Sequence, residues 1–196
     1  MGDDSLDNSE SSVYRRLEEE QGKSMPRLIG RVELPHYYSS RYCSADTEHR
    51  IADFKGLLMQ FIDSFTLEAL FQADISPAPR DAYESIIDNA IQKIHNIIAR
   101  GFLKHKGRTH KVVVRWVAID RRYQTYFIDL TNWRLRKDES DRDWRLEQAN
   151  MEEEGAIGQV MQGRLKKFRR GGYTYKWTEQ KEQLQDDFRG EDGPRI

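Results

Sequence analysis

The sequence predicts an α+β fold in which two antiparallel helices pack on a small antiparallel sheet centred on a β-hairpin. Two apolar runs with strand-like patterning lie close together within residues 108–133. Two stretches with apolar residues at helical spacing precede them, over about 46–72 and 79–100. Both ends of the chain are charged and contain few core-forming residues, so we expect disordered termini.

The composition suits one domain with charged tails. Only 37% of the 196 residues are hydrophobic and 33% are charged, and the apolar residues concentrate in 51–133. We therefore expect an acidic, disordered N-terminal arm at 1–24, which can include a short helix over 13–21. A single α+β domain at 25–178 and a disordered polar tail at 179–196 complete the predicted organisation.

Cysteine content and the N-terminus indicate an intracellular protein. Cys43 is the single cysteine, which leaves no disulfide within one chain and no paired-cysteine zinc site. The first residues are acidic and lack the apolar run of a secretory signal, and no stretch has the length of a membrane span. We expect a cytoplasmic or nuclear protein, or a component of a viral particle, with no cofactor and no metal.

Each predicted helix has a start signal and an apolar face. Ser44 or Asp46 can cap the first helix, and Pro77 suits the first turn of the second. Gly101 follows the second helix as a stop signal. The apolar faces comprise Ile51, Phe54, Leu58, Phe61, Ile62 and Phe65 in the first helix and Ile87, Ile91, Ile94 and Ile98 in the second.

The hairpin is predicted from strands at 111–119 and 125–133, joined by a polar connector. Both faces of the first strand are apolar, so the helices should cover one face and another part of the chain or a second subunit the other. Strands at 28–34 and 172–177 are expected at the edges of this sheet. A solvent-exposed helix is expected over about 140–153.

Charge is arranged in blocks that alternate in sign along the chain. Residues 1–20 contain seven acids, and residues 100–137 contain eleven Lys or Arg against two acids. Residues 138–154 contain eight acids, and residues 155–178 contain six bases and no acid. Such blocks suit self-association, contact between tail and body, a polyanionic partner, or simply a solvated surface.

Two groups of residues are candidate contact sites. Aromatic side chains suit protein interfaces, although the tyrosines can also cover the edge of the core. Basic residues interleaved with aromatics suit phosphates and stacked bases, although 172–177 can also be a strand. The protein-contact candidates are Trp116, Tyr126, Trp133, Tyr37 and Tyr38, and the nucleic-acid candidates are Lys104, Lys106, Arg108, Arg121, Arg122, Arg164, Lys166, Lys167, Arg169, Arg170 and Tyr173.

No stretch identifies a reaction, and we assign no catalytic residue. The sequence contains no nucleophile elbow, HExxH or kinase signature, and the glycines over 155–163 lack the lysine and serine that end a phosphate loop. Asp129 is the one acid within an apolar strand, where burial would raise its pKa or Arg115 would pair with it. An enzyme, the least favoured hypothesis, would centre on Asp129, His105 and His110.

The first functional hypothesis is a non-catalytic structural or adaptor protein. It would act through self-association and protein–protein contacts, as a homo-oligomer or a member of a larger assembly. The second is a nucleic-acid-associated protein that uses the basic and aromatic segments 100–122 and 164–177. The two hypotheses differ in their expected partner. The first requires a protein, and the second requires RNA or DNA that binds more weakly as salt increases.

Overall fold

The computed structural model describes residues 10–34, 54–104, 109–131 and 133–189. Within these ranges the chain forms six α-helices and seven short strands, which confirms the α+β class. The strands are β1 (Leu28–Leu34), β2 (Phe54–Met59), β3 (Phe65–Thr66), β4 (Phe102–Lys104), β5 (Val112–Val117), β6 (Arg122–Phe127) and β7 (Trp133–Leu135). The helices are α1 (Glu10–Arg16), α2 (Ala69–Gln72), α3 (Tyr83–Ala99), α4 (Asp141–Asn150), α5 (Gly155–Lys167) and α6 (Glu179–Asp187).

The strands form three antiparallel sheets. The hairpin of β5 and β6 carries β3 on its β5 side, β1 pairs with β2, and β4 pairs with β7. Helix α3 packs on β6 and also contacts α5 and β4. None of the helices in the described ranges is long and apolar enough to cross a membrane.

Helix α3 is the centre of the core, as its isoleucine pattern predicts. A single 3₁₀ turn at Arg80–Ala82 leads into it after Pro79, and Gly101 follows it with φ of +81°, a conformation that glycine adopts without steric cost. Its buried face packs against the hairpin, α2 and α5. The fully buried residues of that face are Tyr83, Ile86, Ile87, Ala90, Ile94 and Ile97.

The hairpin is confirmed, but its turn ends three residues earlier than expected. Val112 pairs with Phe127 and Val117 with Arg122, so β6 begins at Arg122 rather than at 125. Val112, Val114 and Phe127 belong to the core that includes α3. On the opposite face Tyr126 is buried as well.

The first predicted helix is wrong over residues 54–66. Residues 46–53 lie outside the described ranges, residues 54–59 form β2, and α2 begins only at Ala69. Leu57 and Met59 pack against the core whereas Leu58 is half exposed, which is the period of a strand. Pairing with β1 therefore overrides a spacing that also matched a helix.

Other edges of the predicted sheet also differ. Strand β1 forms where expected, but it pairs with β2 and not with the hairpin. Residues 172–177 contain no regular element, because Tyr173 and Tyr175 pack against the core instead of joining a sheet. The C-terminal half of the second predicted strand becomes an irregular segment followed by β7.

The terminal segments contain helices that contact the body. Val13, Tyr14 and Leu17 of the N-terminal segment are buried in the core, and the Glu10 carboxylate accepts a hydrogen bond from the Leu130 amide. At the other end, residues 179–187 form α6 where the sequence predicted disorder. Both segments contain few apolar residues, but Val13, Tyr14, Leu17 and Phe188 among them are buried.

The highly charged stretch after β7 forms α4, close to the predicted 140–153. The Ser140 hydroxyl caps α4 by accepting from the Asp143 amide, and the Arg134 guanidinium pairs with Glu147 and Glu139. The Thr178 hydroxyl caps α6 by accepting from the Lys181 amide. Polar caps and ion pairs thus organise a region that has few apolar residues.

Candidate functional site

An open cleft lies between the turn end of the β5–β6 hairpin and the beginning of α3. Its volume is about 620 Å³, which falls in the range of ligand and peptide pockets. We call it the hairpin cleft. The hairpin contributes Trp116, Arg121, Arg122 and Tyr123, and the α3 side contributes Pro79, Asp81, Ala82, Ser85 and Asn89.

The hairpin register creates an aromatic pair in this cleft. Trp116 and Tyr123 are directly opposite each other on β5 and β6, and their ring centroids are 4.8 Å apart. The Phe65 ring of β3 meets the edge of Tyr123 at 6.2 Å. Trp116 remains 49% exposed, so this group presents an apolar surface at the open end of the sheet.

The turn beside the aromatic pair carries charge and one isolated apolar side chain. Arg122 pairs with Asp120 at 3.3 Å, whereas Arg121 is exposed and has no ion-pair partner in the described ranges. Arg121 has φ of +48°, a region that non-glycine residues rarely adopt. Ile119 is 91% exposed. The turn therefore presents an arginine and an isoleucine to solvent.

Asn89 fixes the hairpin against α3. Its side-chain oxygen accepts hydrogen bonds from the Thr125 amide at 2.9 Å and the Thr125 hydroxyl at 2.8 Å. Thr125 is fully buried, so Asn89 satisfies two groups that water does not reach. This connection holds the two walls of the cleft at a fixed separation.

Tyr123 stays a neutral phenol in this setting. Burial raises its pKa, and the nearby Asp81 carboxylate raises it further. At neutral pH the hydroxyl is therefore a hydrogen-bond donor as well as an acceptor. Among the described groups, the cleft thus offers an indole, a phenol, an unpaired guanidinium and a carboxylate.

A second polar cluster surrounds Asp129 at the base of the hairpin. Asp129 has φ of +60° and pairs with Lys111 at 2.6 Å. Hydrogen bonds from Lys111 and Thr131 lower its pKa to about 2, which corrects the expectations of a raised pKa and of pairing with Arg115. His105 lies outside the described residues, so the enzyme hypothesis built on it stays untested.

Lys104 belongs to the same cluster. It is buried, its ammonium donates to the Asp129 carbonyl at 3.1 Å, and it lies 5.3 Å from the centre of the Trp133 ring. The buried Tyr14 hydroxyl has no hydrogen-bond partner within the described ranges, and burial followed by Glu10 raises its pKa. The contacts of Lys104 tie β4 to the base of the hairpin and to β7.

The predicted protein-contact residues separate into three groups. Trp116 lines the hairpin cleft. Tyr126 and Trp133 are each only 5% exposed; Tyr126 is buried on the hairpin face opposite Phe127, and Trp133 packs edge-on against Phe127. Burial argues against a surface role for these two, and Tyr37 and Tyr38 lie outside the described residues.

The predicted nucleic-acid residues do not form one continuous set. Burial removes Lys104 from the surface, and Arg170 donates to the carbonyls of Ala73 and Asp74. Tyr173 is half-buried, and Lys106 and Arg108 lie outside the described ranges. Arg121 and Arg122 line the hairpin cleft. The exposed remainder, Arg164, Lys166, Lys167 and Arg169, lies at the C-terminal end of α5.

Sequence reasoning missed the α3 side of the cleft. Asp81, Ser85 and Asn89 lie four residues apart, and such positions share one face of a helix or its leading turn. This polar face runs beside the isoleucine face of α3. The spacing was visible in the sequence, but nothing in it indicated that the face borders the hairpin.

Comparison with known proteins gives little further information. No protein-family model matches the chain, and no curated protein matches its sequence. One similar solved structure is WaaP in complex with acyl carrier protein, with 16% sequence identity and a TM-score of 0.49. The match covers 93% of this chain and 69% of that chain. A likeness at this level carries no argument about function.

Proposed function

We propose that the chain is a non-catalytic adaptor that binds a partner protein through the hairpin cleft. The observation that carries the proposal is Trp116, which is half exposed and lies at a tilted angle against the Tyr123 ring inside a concave surface. Tryptophan, tyrosine and arginine dominate the binding energy of protein interfaces. The cleft supplies all three within one hairpin.

The charge of the turn favours an acidic residue in the bound segment. Arg121 is the guanidinium without an ion-pair partner among the described residues of the cleft, and a planar guanidinium binds a carboxylate through two hydrogen bonds. Ile119 beside it provides an apolar contact. We infer a partner segment that presents an apolar or aromatic side chain to Trp116 and a carboxylate to Arg121.

Quantitative mass spectrometry of co-purified proteins tests this proposal with matched variants. Trp116→Ala and Arg121→Glu should each deplete the same partner at least tenfold relative to the wild type. Ile75→Ala is the control, because Ile75 is 87% exposed and lies away from the cleft lining. Calorimetry with the purified partner should then reproduce the loss. Equal recovery by the wild type and both cleft variants would refute the proposal.

Self-association is a separate part of the adaptor hypothesis. Light scattering of the full chain over a range of concentrations measures it directly. If a second copy occupies the cleft, Trp116→Ala should convert the oligomer to a monomer and Ile75→Ala should not. A wild-type chain that remains monomeric at high concentration would rule out this form of the hypothesis.

Binding to nucleic acid is the second candidate, and the end of α5 favours it. Phe168 is 45% exposed and lies under the Lys167 ammonium at 6.0 Å, while Lys166 and Arg169 beside them are exposed. An exposed ring among bases suits a stacked base and its phosphates. The Phe168 ring also stacks on the Phe71 ring at 5.5 Å. This contact equally fits a structural role, in which Phe168 holds the end of α5 against α2.

Fluorescence anisotropy with single-stranded RNA and DNA tests the second candidate. Binding should weaken steeply as salt increases, and Lys167→Glu with Arg169→Glu should abolish it. Trp116→Ala should leave it unchanged, since Trp116 lines the cleft on another element. Absence of binding at low salt would dispose of this candidate without affecting the adaptor proposal.

A further inference from the structure

A second, smaller cavity lies beside the C-terminal half of α3, next to α4 and α6. It has a volume of about 170 Å³, which is room for several water molecules or one small organic molecule. Its wall includes ionisable, amide and aliphatic side chains from α3, the segment after α4, and α6. A cavity of this size suits a single small molecule rather than a polymer.

Glu154 borders this cavity but is fully engaged by the protein. Its carboxylate accepts from the Tyr175 hydroxyl, from the amide and hydroxyl of Thr178, and contacts His95 Nε2 at 2.9 Å. Burial alone would raise its pKa, but these hydrogen bonds hold the pKa below its usual value. Glu154 therefore has no oxygen left for a ligand.

Glu153 differs from its neighbour. Its side chain is buried, and Oε1 accepts from the Lys104 amide at 2.5 Å. Its other oxygen, Oε2, has no hydrogen bond to any described residue, and no cation of the described ranges lies within 4.0 Å of the carboxylate. Oε2 is not among the fully buried side-chain atoms that lack a partner, so it is open to the cavity, where a donor from a ligand can approach it.

Lys181 supplies the opposite charge on the same wall. It is 5% exposed, and its ammonium donates to the carbonyls of Ala149 and Met151 at 3.0 and 3.2 Å. The Glu152 carboxylate is 3.9 Å away. Since an ammonium carries three donors, two carbonyl bonds leave one for a further acceptor.

The carboxyl group of Glu153 and the ammonium of Lys181 thus both line the cavity without pairing with each other. A molecule that carries a donor and an acceptor close together would satisfy both groups. Ile98, Met151 and Leu184 give the remaining wall an apolar character. We propose that this cavity binds a small aliphatic α-amino acid, whose ammonium meets Glu153, whose carboxylate meets Lys181 and whose side chain contacts Ile98, Met151 and Leu184.

Isothermal calorimetry on the full chain tests the proposal with three probes of matched shape. L-Valine carries both charges, isobutylamine lacks the carboxylate, and 3-methylbutanoate lacks the ammonium. We expect L-valine to bind at least tenfold more tightly than either single-charge probe. Equal affinity for isobutylamine would overturn the zwitterion assignment, and absence of binding by L-valine would overturn the proposal.

Variants of the cavity locate the binding. Glu153→Gln and Lys181→Met should each weaken L-valine binding at least tenfold, and Leu184→Phe should block it by filling the apolar end. Glu182→Gln is the matched control, because Glu182 is an exposed residue of the same helix α6 and lies outside the cavity lining. Thermal unfolding of each variant distinguishes loss of binding from loss of the folded state. Leu184→Phe removes no charge, so it still tests the location if Glu153→Gln or Lys181→Met fails to fold. Unchanged binding by folded Leu184→Phe would refute the location.

Discussion

Asn89→Ala tests how the hairpin is held on α3. The substitution removes the acceptor of two hydrogen bonds, from the amide and hydroxyl of Thr125. Thr125 is 0% exposed, so water does not replace the lost partner. An unsatisfied buried group costs about 1–3 kcal/mol, so the loss of two partners should lower the free energy of unfolding by about 2–6 kcal/mol.

Urea unfolding followed by tryptophan fluorescence measures this change, and the four tryptophans of the chain provide the signal. Asn89→Asp is the control, since it keeps a side-chain acceptor in the same place. Thr125→Val should restore part of the stability of Asn89→Ala, because it removes one of the two stranded donors. If Asn89→Ala unfolds within about 0.5 kcal/mol of the wild type, the buried pair does not fix the hairpin.

The remaining predictions use the same unfolding measurement. Gly158→Ala should destabilise the chain by about 1–3 kcal/mol, since a Cβ there would lie 2.1 Å from the Tyr175 ring. Gly163 lies in the same helix, but a Cβ there would meet nothing within 4 Å. Gly163→Ala should therefore stabilise the chain by about 0.5–1 kcal/mol. Ile94→Ala should lower the free energy of unfolding by about 2–5 kcal/mol, because Ile94 is fully buried. Ile119→Ala should lower it by less than about 0.5 kcal/mol, because Ile119 is 91% exposed. Burial raises the pKa of Glu153 from 4.5 to about 7, so the unfolded state releases this proton first as pH rises. Stability should therefore decrease between pH 4.5 and 7 by up to roughly 3 kcal/mol, and Glu153→Gln should abolish that part of the pH dependence.

The sequence predicted well those elements whose apolar pattern fits only one type of secondary structure. The isoleucines of α3 recur at helical spacing between a proline start and a glycine stop, and the helix lies where expected. The valines of β5 are β-branched and strand-forming, and the hairpin formed. In both cases local preference and burial favour the same structure.

The errors occur where a pattern allowed two periods or had few apolar residues. Leu57, Leu58 and Met59 fit either a wide helical stripe or an alternating strand, and the partner β1 decides between them. Helix α5 was missed because glycines interrupt its sequence, although Gly158 is required there by the close approach of Tyr175. Long-range contacts of this kind are not encoded in a local window.

The same limit applies to the candidate site. Trp116, Arg121 and Arg122 were predicted as contact residues from the hairpin sequence, and all three line the cleft. Asn89 and Asp81 come from a segment about thirty residues earlier, so only the packing of α3 on β6 brings them to the same surface. Tyr126 and Trp133 carried the same aromatic signal as Trp116, but their burial could not be read from the sequence.

Helix α3 carries one wall of both proposed sites, which determines how they relate to each other. Asn89 lines the hairpin cleft, and His95 and Ile98 line the smaller cavity. From Asn89 to His95 the helix rises by about 9 Å at 1.5 Å per residue. Between these positions Ile91 and Ile94 are buried in the core, and a packed face of this kind resists displacement. Because neither site can move α3 without disturbing that face, we expect binding in the cleft and in the cavity to be independent. L-Valine affinity should therefore be the same in Trp116→Ala as in the wild type, so failure of one proposal leaves the other standing.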